Sequence, residues 1–166
     1  MTEKSKKELY RLYMSELVTA MICGILMYAL ADSMNQPLDL RILLPGAILI
    51  FIVLQSAGYW YYRHYQVDHA TDAAEWVLPL FSKIKKLNRF LFVLYPLFCL
   101  FLLVANQADF FATINIFGVI LYLFSIIEYI NYYYFSVQLS NLRKRIPSEL
   151  SRELSNYEEK LSQPKQ

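Results

Sequence analysis

Apolar residues fall in four long runs, at positions 17–31, 42–62, 90–105 and 112–135, with short polar stretches between them. A helix that crosses a bilayer needs roughly 20 apolar residues, within a range of about 17–25. The second and fourth runs reach that length alone. The first reaches it with Leu9, Leu12, Tyr13 and Met14, and the third with Leu87 and the snorkelling stem of Arg89. The pattern predicts an all-α integral membrane protein, a four-helix bundle of two antiparallel transmembrane hairpins. Its spans are expected at 12–31, 42–62, 89–105 and 112–135, with a cytoplasmic helical loop at 63–88. Residues 1–145 make the membrane domain and 146–166 a cytoplasmic amphipathic tail.

Periodicity within the runs predicts which faces turn inward. In the fourth span Ile116, Val119, Leu123, Ile126, Ile127, Ile130, Tyr134 and Val137 share one aliphatic arc, suited to lipid. The opposite arc holds Gly118, Tyr122, Ser125, Glu128, Tyr129, Tyr132 and Ser136. Small and hydroxyl-bearing residues there permit close helix approach and interhelical hydrogen bonds. Span two carries Gln55, Tyr59, Tyr62 and Gln66 on one stripe. Span one carries Glu16, Ala20, Cys23 and Met27, with Ala20 and Gly24 as a small pair. Pro96 is expected to bend span three.

Gln55 and Glu128 each lie seven residues inside the cytoplasmic end of a span. At 1.5 Å per residue that is a depth of about 10 Å. Thr19 and Tyr95 fall at a similar level. One intramembrane polar layer of Glu128, Gln55, Tyr59, Thr19 and Tyr95 is therefore expected. A carboxylate at that depth costs roughly 2.5–3.5 kcal/mol and needs a partner or a proton. Glu128 then either fixes helix register or serves a proton- or cation-coupled site.

Between spans two and three, the helix is expected to continue to about His69. Asp72 through Glu75 reads as a capping box, and Pro79 as a break or kink before the lysines that lead back to the membrane. Trp76 suits the headgroup region. His64, Asp68, His69 and Asp72 have spacings that could hold a hard or borderline metal ion. The plainer reading is a solvated helix–turn–helix. In the tail, Leu139, Leu142 and Ile146 extend span four until Pro147. Ser148 then caps a helix over 149–161 with a stripe of Leu150, Leu154, Tyr157 and Leu161. That helix is too short to be stable alone in water. It must lie on the membrane, pack on the 64–88 segment or bind another protein. Arg143, Lys144 and Arg145 form an interfacial basic anchor.

Composition agrees with the pattern: 57% of residues are hydrophobic and 18% charged, against about 45–50% and about 25% in soluble domains. The net charge of +2 says little, but its placement says more. Fifteen of the 16 basic residues, all but Arg41, fall on one side of the expected spans. The positive-inside rule makes that side cytoplasmic, with both termini on it. The outer segments 32–41 and 106–111 carry Asp32, Asp39 and Asp109 and are too short for an outer domain. Ala29, Leu30 and Ala31 resemble a leader cleavage site, but Glu16 abuts the apolar run, and span one is expected to be retained. Cys23 and Cys99 lie within spans and are expected to pack as small apolar residues.

No catalytic motif, cofactor fingerprint or family signature stands out, and no cofactor or nucleic-acid partner is expected. Heavy use of Tyr, Ile, Lys and Asn favours a bacterial plasma membrane. Three functions remain. The first is a non-enzymatic subunit acting through partners, as an accessory, regulatory or assembly factor. Besides the lipid bilayer, it would engage a protein partner or itself through the spans or the C-terminal helix. The second is a small oligomeric transporter or channel with Glu128 and Gln55 on its path. The third is a membrane-interface enzyme acting on lipid, with His64, Asp68 and Asp72 at the surface.

Overall fold

The computed structural model describes residues 3–33, 39–69, 74–105, 112–136 and 146–162. Among them the chain forms five helices: α1 (Glu3–Ser33), α2 (Leu40–His69), α3 (Ala74–Ala105), α4 (Thr113–Tyr133) and α5 (Glu149–Ser162). The described residues hold no strand, only one isolated antiparallel bridge between Phe135 and Pro147. Four of the helices are long and apolar enough to cross a membrane, over Ser5–Leu30, Leu40–Val67, Trp76–Ala105 and Thr113–Tyr133. That assigns the protein to a membrane and its apolar faces to contact with lipid.

α2 and α3 are longer than the apolar runs alone predict. The break expected at Pro79 does not occur, and α3 runs through it. Pro79 lies in the second turn of α3, where its missing N–H costs one intrahelical bond. Val77, Leu78 and Phe81 around it are buried and hold that turn in place. The helical loop expected at 63–88 is thus largely the ends of two helices, and α2 runs to His69 as expected.

α2 packs on α1 along one side. Met27 meets Gly46, Ile50 approaches Gly24, and Ala20 clusters with Leu49 and Val53. Tyr13 stacks near Tyr61 with ring centroids 5.4 Å apart, and Tyr10 near His64 at 5.8 Å. α4 packs elsewhere on α2. A Cβ on Gly118 would overlap the Arg41 carbonyl and crowd the Tyr95 hydroxyl, so only glycine permits this approach of the two backbones. α3 and α4 share an aromatic seam, with Tyr95 and Tyr122 4.9 Å apart and Phe92 and Tyr129 5.1 Å apart.

The lipid-facing arc of α4 is slightly rotated from expectation. Ile116, Val119, Leu123, Ile127 and Tyr134 are exposed, together with Ile120 and Phe124. Ile126 and Ile130 are half-buried instead, and Val137 lies outside the described residues. Gly118 and Ser125 are buried, as their side of the helix predicts.

α4 does not run on toward Ile146 as its apolar seam suggested. Tyr134 and Phe135 both donate their N–H groups to the Ile130 carbonyl, at 3.0 and 3.1 Å, and the helix stops. The chain at 134–136 then pairs with 146–148, through Ser136 N–H to the Ile146 carbonyl at 2.9 Å and Ser148 N–H to the Tyr134 carbonyl at 3.2 Å. Leu139 and Leu142 lie outside the described residues. Ser148 caps α5, its hydroxyl oxygen accepting from Ser151 N–H at 3.1 Å. Of the three destinations open to the tail, α5 takes the second and packs on the 64–88 segment. Leu150 and Leu154 are buried in one cluster with Tyr59, Tyr62, Val77, Leu78 and Phe81. Burial stabilises each leucine by about 1.5–3 kcal/mol, and an ion pair between Arg63 and Glu153 adds a polar contact to α2.

Candidate functional site

The polar groups deep in the helices fall into two centres rather than one layer. The first ties three helices together. Gln55 of α2, Asn88 of α3 and Tyr133 of α4 are 7%, 0% and 1% exposed. The Gln55 carbonyl oxygen accepts from Asn88 Nδ2 at 2.7 Å and from the Tyr133 hydroxyl at 2.8 Å. Gln55 Nε2 donates back to Asn88 Oδ1 at 3.1 Å. Side-chain amides supply both a donor and an acceptor, which makes this reciprocal pair possible. Nearby, the Tyr122 hydroxyl donates to the Phe92 carbonyl at 2.8 Å and the Tyr129 hydroxyl to the Lys85 carbonyl at 3.4 Å.

The second centre lies where α1, α2 and α4 meet. The Tyr132 hydroxyl donates to Glu16 Oε2 at 2.9 Å. Glu128, one turn earlier on α4, lies near Glu16 and Tyr132 at the same corner. Its Oε2 accepts from Asn131 Nδ2 at 3.5 Å. Ser56 of α2 is buried beside Glu16 and Tyr132, and its hydroxyl oxygen makes no hydrogen bond of good geometry.

The five residues expected to form one layer are therefore separated. Gln55 belongs to the first centre and Glu128 to the second. Glu128 makes no hydrogen bond to Gln55, Tyr59, Thr19 or Tyr95 among the described residues. Thr19 is exposed and donates to its own helix, at the Ser15 carbonyl, 2.9 Å away. Tyr95 packs on Tyr122 and Phe98. Tyr59 points toward α5, where its hydroxyl and Glu153 Oε2 lie close together, both buried and neither in a well-formed hydrogen bond. Equal depth on different helices does not bring side chains together, because each helix is also free to rotate about its axis.

Of the metal candidates, His64 is half-buried beside the Tyr10 ring. Asp72 and the side chains of Asp68 and His69 lie outside the described residues. So do Arg143, Lys144 and Arg145. No group of three or more His, Cys, Asp or Glu residues suited to a metal ion occurs among the described residues. Cys23 and Cys99 are free and half-buried. Near the start of α2, Asp39 Oδ1 accepts from Arg41 N–H at 2.8 Å and its carboxylate grips the Arg41 guanidinium at 2.6–2.9 Å. That guanidinium holds the Asp39 carboxyl below the usual carboxylate range. On α5, burial pushes the Glu153 carboxyl above its ordinary value, more than the Arg63 charge pulls it down.

A cavity of about 830 Å³ opens between α2 and α3. Its walls include Phe51, Leu54, Gln55 and Gly58 of α2 with Trp76 and Leu80 of α3, and none of its lining residues is charged. It reaches Gln55 but not Glu128. No family model, curated protein or solved structure matches the chain. Function is therefore read from the side chains alone. What they form is a set of interhelical ties, an acidic corner and an apolar lateral groove, with no nucleophile–base pair among the described contacts.

Proposed function

We propose that this chain is a small polytopic membrane protein that works through partners, as an accessory, regulatory or assembly subunit. In this reading its spans form a four-helix bundle of two antiparallel hairpins in a bacterial plasma membrane, with both termini cytoplasmic. The observation that supports it best is the use of the deep polar side chains. Gln55, Asn88 and Tyr133 hydrogen-bond one another across three helices. The cavity is apolar and ends away from Glu128. The outer faces of α1 (Met21, Ile25) and α3 (Leu97, Phe101) are broadly exposed and available to lipid or to another span.

Photo-crosslinking amino acids at Ile25, Leu97 and Tyr157 test this in native membranes. A discrete adduct, to another protein or to a second copy, is expected from at least one site. Lipid adducts alone from all three positions would refute it. A transporter or channel remains the second reading, favoured by the meeting of Glu16 with Glu128, since paired intramembrane acids mark ion or proton paths in other systems. Proteoliposome flux that is present in the natural protein and lost in Glu128→Gln would establish that reading instead.

A further inference from the structure

The corner between α1, α2 and α4 gathers oxygen donors from three helices. Glu16 and Glu128 face it from different helices, and neither has a salt-bridge partner among the described residues. Two carboxylates in a low-dielectric setting repel each other and require positive charge or protons. Ser56 is 3% exposed, yet its hydroxyl oxygen lacks a well-formed hydrogen bond beside that pair. The Tyr132 hydroxyl donates its proton to Glu16, and its oxygen can still act as an acceptor. A buried hydroxyl that lies close to two acids without a well-formed hydrogen bond to either is an arrangement a cation could complete.

We propose that Glu16, Ser56, Glu128 and Tyr132 form a binding site for a hard divalent cation of the calcium or manganese class. All four donors are oxygens, the ligand type such ions prefer over softer metals. Two carboxylates balance a charge of +2, which leaves the corner neutral within the membrane. Both acids are half-buried, which leaves room on the ion for further oxygen ligands. Glu128 and Tyr132 are one helical turn apart on α4 and share a face. A bound ion would link α1 to α4 across Ser56 of α2 and make the seating of α1 dependent on the cation. This site stands independently of any protein partner.

The test uses the full chain in phospholipid nanodiscs, stripped with chelator and then titrated with calcium, or with manganese followed by electron paramagnetic resonance. One ion per chain should bind, and saturating calcium should raise the unfolding midpoint. Glu16→Gln and Glu128→Gln should each weaken binding at least tenfold, and Ser56→Ala severalfold, whereas Glu8→Gln on exposed α1 surface should leave it unchanged. Circular dichroism of the ion-free variants checks folding. If a Gln variant fails to fold, Ser56→Ala carries the comparison. An infrared arm separates cations from protons: the carboxylic-acid carbonyl band should disappear on adding calcium. No binding of either ion, binding indifferent to these substitutions, or an acid band that persists at saturating calcium would each overturn the proposal.

Discussion

Replacing Asn88 with leucine probes the tie that joins α2, α3 and α4. Leucine keeps the branching at Cγ, with somewhat greater bulk, but removes both hydrogen bonds that Asn88 makes with Gln55. Hydrogen bonds between transmembrane helices average about 0.6 kcal/mol and reach about 1.7. The loss also strands the Gln55 N–H group in a site where Gln55 is 7% exposed, and a stranded buried group costs about 1–3 kcal/mol. A destabilisation of about 1–3 kcal/mol is expected, a roughly 5- to 150-fold change in the unfolding constant. Gln55→Leu should cost a similar amount, since it strands Asn88 and the Tyr133 hydroxyl. The double variant Gln55→Leu/Asn88→Leu should cost less than the two singles added together, because no amide is left alone. Reversible unfolding in mixed micelles measures all four corners of this cycle. Strict additivity, or an Asn88→Leu cost no greater than that of the exposed control Leu100→Ala, would refute the reasoning.

Gly118→Ala should destabilise by about 1–3 kcal/mol through overlap with the Arg41 carbonyl. Gly58→Ala, where an added methyl meets open space, should instead stabilise α2 by about 0.5–1 kcal/mol; micelle unfolding of both variants checks the contrast. Asp39→Ala should cost about 0.5–2 kcal/mol through loss of the α2 cap, read in the same assay. Because Glu153 binds its proton more tightly when α5 is docked, docking should be strongest below the ordinary carboxyl value of 4.5. It should weaken as pH rises through the docked value. A spin label on exposed Ser155 should report increasing mobility over that rise, and Glu153→Gln should flatten the response.

The four spans were legible because their signal is length and apolar composition, which no tertiary contact is needed to read. α5 was legible for a similar local reason, with Ser148 as its cap and Leu150 and Leu154 on one stripe. Asn88 is hard to see in the sequence, because a break or kink at Pro79 hides the register of the helix that carries it. Counted through the proline, Phe81, Ile84, Asn88 and Tyr95 fall on one face of α3, and a buried amide on that face is the available signal. The match of Glu16 with Tyr132 and Glu128 was invisible for a different reason. Periodicity marks the inward stripe of each helix, but not which neighbour that stripe meets. The polar layer expected from depth alone divided into two centres on that account. The end of α4 at Tyr133 was also hidden, since the apolar seam continues past it and a tertiary pairing of 134–136 with 146–148 competes with the helix.

The proposed topology is four spans with both termini on the cytoplasmic side. The direct measurement is labelling of single cysteines at Ser33, Lys83 and Ser162, in a background where Cys23 and Cys99 are replaced by alanine. A thiol reagent that cannot cross the membrane is applied to intact cells and again after permeabilisation. Ser33 should react in intact cells, whereas Lys83 and Ser162 should react only once the membrane is opened. Labelling of Lys83 or Ser162 in intact cells, or protection of Ser33, would contradict the account.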